Sequence, residues 1–231
     1  MSKNLSKVFY ISLVICLLFI GWGLIPESMW ETWNLNNITS TIHAFLVSRF
    51  GWFYLLVTTG FLIVAIFLIF SKYGNIKLGQ PDDEPAFNYL TWFGMLFSAG
   101  MGIGLVFWGA AEPISHLNSP PYAVSSEAVA ATTALQYSFF HWGLHPWAVY
   151  ATLGLALAFF QFKKNSPGLI SSTLRPLFGD KMNGGWGTTI DVIAVFATVF
   201  GVATSLGLGA QQIGSGLEFI TNGIVNNFST Q

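Results

Sequence analysis

The chain has few charged residues and only one cysteine. Lys, Arg, Asp and Glu make up 8% of its 231 residues, whereas soluble domains average about 25% charged residues. This composition excludes an ordinary soluble domain. Cys16 has no second cysteine to pair with, so an internal disulfide is excluded too. The net charge of -1, without any basic cluster, gives no basis for nucleic-acid binding.

Sequence motifs of the common enzyme classes are also missing. There is no Walker loop, and the glycines at Gly100, Gly102 and Gly104 do not follow a soluble strand as in a dinucleotide-binding fingerprint. His141 and His145 have the four-residue spacing of some metal ligands, but no acid lies between them. The sequence therefore indicates a protein that is not an enzyme. Metal or proton-relay chemistry at the two histidines stays open as an alternative.

Apolar and aromatic residues are abundant instead, at 53% and 16% of the chain, with nine tryptophans. Stretches of about 20 apolar residues are long enough to cross a bilayer as helices. The sequence therefore predicts an all-α polytopic membrane protein with five transmembrane helices at residues 8–26, 52–71, 87–111, 130–162 and 191–216. Polar connectors are expected at 27–51, 72–85, 114–128 and 163–187. Because five spans and an unanchored end are unusual, we expect the sequence to be a truncated part of a longer protein.

The basic residues predict the orientation of these spans. With the N-terminus in the cytoplasm, only Arg49 among the nine Lys and Arg residues falls on the outer side. Cytoplasmic loops of membrane proteins carry an excess of Lys and Arg, so this distribution predicts a cytoplasmic N-terminus and a multi-pass topology. The residues on the cytoplasmic side are Lys3, Lys7, Lys72, Lys77, Lys163, Lys164, Arg175 and Lys181.

The third span concentrates glycine between Ser98 and Leu105, with Gly100, Gly102 and Gly104 at alternate positions. Each glycine costs a helix interior about 1 kcal/mol relative to alanine, which predicts a loosened or unwound segment. Such backbone is tolerated at membrane depth only where it is buried in protein or lines a cavity. The same spacing also fits small-residue helix packing, so glycine spacing alone leaves both interpretations open.

The fourth span contains three aromatic residues that suggest a cation site. On a helical wheel Trp142, Trp147 and Tyr150 fan across about 140°, and Pro146 is expected to kink the helix. Aromatic cages of this kind hold quaternary ammonium ligands, although lipid-facing or packing roles stay open. Glu112, at the end of the third span, is expected to cap, pair or line a path, and its placement alone does not decide which.

Three runs of residues together resemble the betaine/carnitine/choline transporter family. They are residues 99–109 followed by Glu112 and Pro113, residues 141–150, and residues 197–201 with 205–209. The resemblance implies a twelve-helix fold with two inverted five-helix repeats, in the leucine-transporter-like arrangement. Residues 1–72 would then supply two leading transmembrane helices. Residues 73–231 would supply a partial first inverted repeat with three transmembrane helices.

The resemblance also assigns roles to individual residues. Phe107 matches an aromatic gate. The main-chain carbonyls near Ser98 and Met101 match one sodium site, and Thr198 matches one hydroxyl of a further sodium site. A second hydroxyl expected one turn after Thr198 is replaced by Val202, which weakens that sodium site. The substrate-binding residues are Trp142, Trp147, Tyr150, Ala99, Met101 and Gly104.

The prediction of the substrate depends on Gly104. Choline carriers of the family tend to have an aspartate at this position, whereas a zwitterion brings its own carboxylate. The resemblance therefore implies sodium-coupled import of glycine betaine across the plasma membrane for osmoprotection. The only cofactor is sodium as the coupling ion, and self-association into a homo-oligomer stays open. The alternatives are a choline or carnitine carrier, proton-coupled or exchanging, a non-transporting membrane scaffold, and an intramembrane His-dependent metal enzyme.

Overall fold

The chain is described by a computed structural model that covers residues 6–100 and 102–221, without the side chains of residues 99, 100 and 103. The structure is 79% helical, and the described part contains no strand. The all-α prediction is confirmed. The helices of the described part are α1 Lys7–Gly23, α2 Leu35–Phe70, α3 Tyr89–Gly100, α4 Ile103–Asn118, α5 Glu127–His141, α6 Leu144–Ala158, α7 Ile170–Phe178 and α8 Gly185–Ile220.

Three helical stretches of the described part are long and apolar enough to cross a membrane, namely Leu35–Phe70, Glu127–Lys163 and Gly185–Ile220. The second of them joins α5, α6 and the single π-helical turn Phe159–Lys163. The predicted first span corresponds to α1, an apolar helix of 17 residues. The predicted third span is divided between two shorter helices, α3 and α4.

The predicted polar loop at residues 27–51 is wrong from residue 35 onward, because α2 begins at Leu35. Asn34 caps this helix by accepting a 2.8 Å hydrogen bond from the Asn37 N–H, which satisfies one of the free donors of the first turn. Thr39 is polar but helix-compatible, since its hydroxyl donates to the Leu35 carbonyl at 2.7 Å. Arg49 therefore lies inside a helix rather than in a loop.

The third span is interrupted where the glycines predict it. Helix α3 ends at Gly100, α4 begins at Ile103, and Gly102 between them is extended at φ −69° and ψ −155°. The helix extends past the predicted end of this span at residue 111, and the loop predicted from residue 114 is wrong over its first residues, since α4 continues through Pro113 to Asn118. Packing of α4 against α5 supports the extra turns that a proline would otherwise end.

The fourth span breaks at Trp142 and Gly143 rather than at Pro146. Pro146 is the third residue of α6, in a first turn whose N–H groups have no partner within the helix, so its missing donor costs little there. Gly143 sets the break, because a Cβ at this position would lie 2.8 Å from the Phe139 carbonyl oxygen. Only glycine fits this close approach without a backbone shift.

The chain divides into two compact units, each described here by itself. The first comprises Met1–Pro81 and Leu144–Thr198, and in it α2 packs against α6. In this unit the buried Asp191 accepts hydrogen bonds from the Ser171 N–H at 2.9 Å and the Ser171 hydroxyl at 2.7 Å, which fix the start of α7 against α8. The second unit comprises Asp82–Gly143 and Val199–Gln231, and its main contact is that of α4 with α5. The division at residue 72 proposed from the resemblance stays a prediction.

Candidate functional site

The paired helices α4 and α5 bring polar side chains together in the second unit. Glu112 accepts a 2.6 Å hydrogen bond from the Trp142 indole N–H through its Oε2 atom. Its other oxygen, Oε1, is hydrogen-bonded to His141 Nδ1 and lies 3.4 Å from His116 Nε2. We call Glu112, His116 and His141 the Glu112 cluster. Of the three roles that the sequence left open for Glu112, the structure shows pairing.

Aromatic rings surround the Glu112 cluster. The rings of His116 and His141 are 5.3 Å apart between centroids, and Tyr137 lies 5.7 Å from the first and 6.1 Å from the second. Tyr122 extends this group from the connector that follows α4, with its hydroxyl 3.2 Å from the Thr133 hydroxyl. The carboxylate of Glu112 is therefore held among rings, with only 12% of its side chain exposed. An ionisable group in this setting needs partners, and both of its oxygens have them.

Trp142 also contacts the glycine-rich end of α4. A Cβ placed on Gly104 would lie 3.5 Å from the Trp142 ring atom Cη2. The two residues predicted to contact substrate are thus neighbours in the structure, with the ring against a position that has no side chain. Phe107, the predicted gate, is half-buried one turn further along α4, and its ring contacts Trp108 at 5.1 Å between centroids. Its gating role stays a prediction.

The other two aromatic residues of the predicted cage lie together on α6. The rings of Trp147 and Tyr150 are 6.1 Å apart and nearly perpendicular, at 79°. The helical-wheel argument holds for this pair but is wrong for Trp142, because α5 ends at His141 and Trp142 precedes α6. For the same reason His141 and His145 do not share one continuous helix, so their four-residue spacing no longer indicates a common face.

The predicted sodium residues are described only in part. Met101 lies outside the described residues, and so does the side chain of Ala99. Ser98 is in the last turns of α3, where a Cβ on Gly102 would lie 3.0 Å from the Ser98 carbonyl oxygen. The hydroxyl of Thr198 donates to the Ala194 carbonyl at 2.8 Å, which is the usual intrahelical bond of a threonine. Its sodium role stays a prediction.

Sequence reasoning missed His116 and the contact between Glu112 and Trp142. One signal was present, since Glu112 and His116 are four residues apart and therefore neighbours on a helix. It was lost because residues 114–128 were predicted to form a loop. The contacts to His141 and Trp142 join residues about 30 positions apart, and no local pattern reports such a pairing.

Comparison with known proteins shows that the chain is similar to membrane transporters. A family model for betaine/carnitine/choline family transporters matches residues 7–231. The glycine betaine transporter OpuD of Bacillus subtilis (strain 168) is 54% identical over 100% of this chain and 44% of its own length. A probable glycine betaine transporter of Desulfitobacterium hafniense (strain Y51) is 50% identical over 95% of this chain and 43% of its own. An ectoine/hydroxyectoine transporter of Virgibacillus pantothenticus is 44% identical over 93% and 42%.

Proposed function

The chain belongs to the betaine/carnitine/choline family of transporters, and we propose that it forms the N-terminal part of a sodium-coupled importer of glycine betaine. The chain spans less than half the length of the curated relatives it matches. In this proposal the complete carrier has twelve helices in two inverted repeats. The described helices supply two leading helices and three helices of the first repeat, with the N-terminus in the cytoplasm of a plasma-membrane protein.

The contact between Gly104 and Trp142 is the observation that supports this substrate best. The ring face of a tryptophan attracts a quaternary ammonium group, and a side chain at residue 104 would begin 3.5 Å from this ring. A charged group at that position would act directly on a cation bound to Trp142. Glycine leaves the place free of protein charge, which suits a zwitterion that brings its own carboxylate. Two relatives that are named for glycine betaine agree with this choice.

The interruption between α3 and α4 supports the proposed binding region. Discontinuous helices mark substrate and ion sites in transporters, because the unwound backbone offers main-chain groups near the middle of the membrane. The carbonyl of Ser98 is next to this interruption, and oxygen ligands of this kind suit a hard cation. The Thr198 hydroxyl donates its proton to the Ala194 carbonyl, which leaves its oxygen lone pairs to coordinate sodium.

The proposal predicts saturable, sodium-dependent uptake of radiolabelled glycine betaine by the complete carrier reconstituted in liposomes. Replacing external sodium with potassium should reduce the initial rate at least about 10-fold, the equivalent of about 1.4 kcal/mol. Unlabelled choline should compete weakly. Uptake that continues without sodium but depends on a proton gradient would overturn the coupling ion, and preferred uptake of choline, carnitine or ectoine would overturn the substrate.

Gly104→Asp is expected to change the preference of the carrier from glycine betaine toward choline. The aspartate would place a negative charge beside Trp142, where it attracts a cation and repels the carboxylate of a zwitterion. A shift of at least about 10-fold in the ratio of apparent affinities is expected, since close charge pairs contribute a few kcal/mol at low dielectric. Competition of the two substrates for uptake measures this ratio, with Gly104→Asn as the uncharged control of similar size. An equal effect of both variants would show that bulk, not charge, acts at residue 104.

A further inference from the structure

We propose that the Glu112 cluster is a binding site for a divalent transition-metal ion, and that Zn²⁺ is the cation its donor atoms fit best. One carboxylate oxygen and two imidazole nitrogens converge from α4 and α5, with all the donor atoms within 4.8 Å of one another. Metal binding at this site does not require the transport reaction proposed above, although Glu112 also bonds to Trp142. Its ligands are a carboxylate oxygen and two imidazole nitrogens instead of the sodium residues, and metal binding can be measured without measuring transport.

One pair of donor atoms has the spacing of two ligands in a zinc site. Two ligands bound tetrahedrally at about 2.0–2.1 Å from zinc are about 3.3 Å apart, and Glu112 Oε1 lies 3.4 Å from His116 Nε2. Their positions one turn apart on α4 hold this separation. His141, the last residue of α5, contacts the same oxygen through Nδ1. A rotation of its side chain would separate the two atoms enough for an ion to enter.

His116 provides a second, independent indication. Its Nε2 atom is buried and lies 3.4 Å from Glu112 Oε1, but within the described residues it makes no hydrogen bond of normal geometry. Buried polar atoms are nearly always satisfied, so an unsatisfied one needs an explanation such as an ion. In the neutral tautomer with the proton on Nδ1, the Nε2 lone pair would be able to bind a metal without losing any hydrogen bond.

The surroundings of Glu112 resemble the outer shell of a metal site. The Trp142 indole N–H donates to Oε2 and leaves Oε1 facing the histidines. Ligating carboxylates are commonly oriented by such a hydrogen bond from a residue that does not bind the metal. Two histidines and one glutamate form a known set of zinc ligands with an open fourth position. Nitrogen donors favour zinc and its neighbours over sodium, magnesium or calcium.

The three ligands of the proposed site differ in exposure. The side chain of His141 is 47% exposed, whereas those of Glu112 and His116 are 12% and 20% exposed. Within this chain His141 is therefore the least enclosed of the three ligands, and we expect an ion to enter past it. The simpler alternative is that the cluster binds no metal and only positions Trp142, and the following measurement separates the two.

The test uses the complete carrier in lipid nanodiscs, titrated with Co²⁺ as a spectroscopic probe and then with Zn²⁺ against a chromophoric chelator. We expect one metal ion per chain and visible cobalt bands of a tetrahedral complex, which Zn²⁺ displaces. His116→Gln and His141→Gln should each weaken Zn²⁺ binding at least about 10-fold, and Trp142→Phe should weaken it about 10-fold without changing the stoichiometry. His43→Gln, an exposed histidine of α2 in the other unit, is the matched control and should bind normally.

Three results would overturn the metal site. The first is the absence of a saturable cobalt spectrum in the unmodified chain, which requires no variant to fold. The second is Zn²⁺ binding that survives both His116→Gln and His141→Gln at unchanged affinity. The third is an equal loss of affinity in His43→Gln. Variants are compared only where circular dichroism shows the same helix content as in the unmodified chain. Because no transport is measured, failure of this site would leave the proposed carrier function untouched.

Discussion

Replacing Trp142 with leucine is expected to weaken the apparent affinity of the complete carrier for glycine betaine by about 1–2 kcal/mol, a roughly 5- to 30-fold rise in the dissociation constant. Leucine keeps an apolar surface but removes the ring face that attracts the trimethylammonium group. Trp147→Leu on α6 should have an effect of the same size if both rings contact the substrate. The measurement is a binding isotherm of labelled glycine betaine, with initial uptake rates in parallel.

A matched control separates ring chemistry from general damage. Trp186 is 70% exposed at the start of α8, and Trp186→Leu removes the same atoms away from the proposed cage. Its affinity should stay within about 2-fold of the unmodified carrier, since exposed substitutions usually cost less than about 0.5 kcal/mol. Unchanged affinity in both Trp142→Leu and Trp147→Leu would contradict the aromatic cage.

The charge of the substrate offers a second check on the same prediction. 3,3-Dimethylbutanoate has the shape of glycine betaine, with carbon in place of the ammonium nitrogen. A cation–π site should prefer the charged compound, and this preference should shrink in Trp142→Leu and Trp147→Leu because leucine contacts both compounds equally. A preference that stays the same in both variants would mean that the rings provide only apolar contact.

The parts of the fold that depend on local chemistry could be predicted from the sequence. The all-helical class follows from composition, and the interruption after Gly100 follows from three glycines whose backbone cost is intrinsic to the residue. The start of α2 was missed although Asn34 is a good helix cap. The polar residues after it suggested a loop, but threonine hydroxyls such as that of Thr39 bond to their own helix.

The predictions that failed depend on contacts between helices or on where a helix begins. Pro146 was expected to break a helix, yet a proline in the first turn of a new helix costs little. Gly143 sets the break because its backbone lies close to the Phe139 carbonyl. The spacing of residues in the sequence does not show this close approach. The partners of Glu112 come from another helix, so only the packing of α4 on α5 shows that this acid holds Trp142.

That contact makes Glu112 a positioning residue for Trp142, and Glu112→Gln is expected to raise the KM for glycine betaine about 10-fold. Gln still fits the site, but it replaces a charged acceptor by a neutral one, and hydrogen bonds to charged groups contribute about 1.5–3 kcal/mol. A less firmly held indole spends less time in the orientation that binds substrate, so apparent affinity should fall more than the maximal rate. Glu127→Gln, an exposed acid in the first turn of α5, is the control and should leave KM unchanged.

A double-mutant cycle tests whether Glu112 acts through the indole. Trp142→Phe keeps an aromatic face but has no N–H to donate, so in that background Glu112→Gln has no hydrogen bond to residue 142 left to weaken, although the bond to His141 is still affected. Its effect on KM should then fall below about 2-fold, and the difference between backgrounds measures the coupling of the two residues. All uptake assays contain a chelator, so that a metal bound at the Glu112 cluster does not contribute. If Glu112→Gln raised KM about 10-fold in both backgrounds, the carboxylate would act on transport by a route other than Trp142. The hydrogen bond between Glu112 and Trp142 would then result from helix packing and would not hold the Trp142 ring beside Gly104.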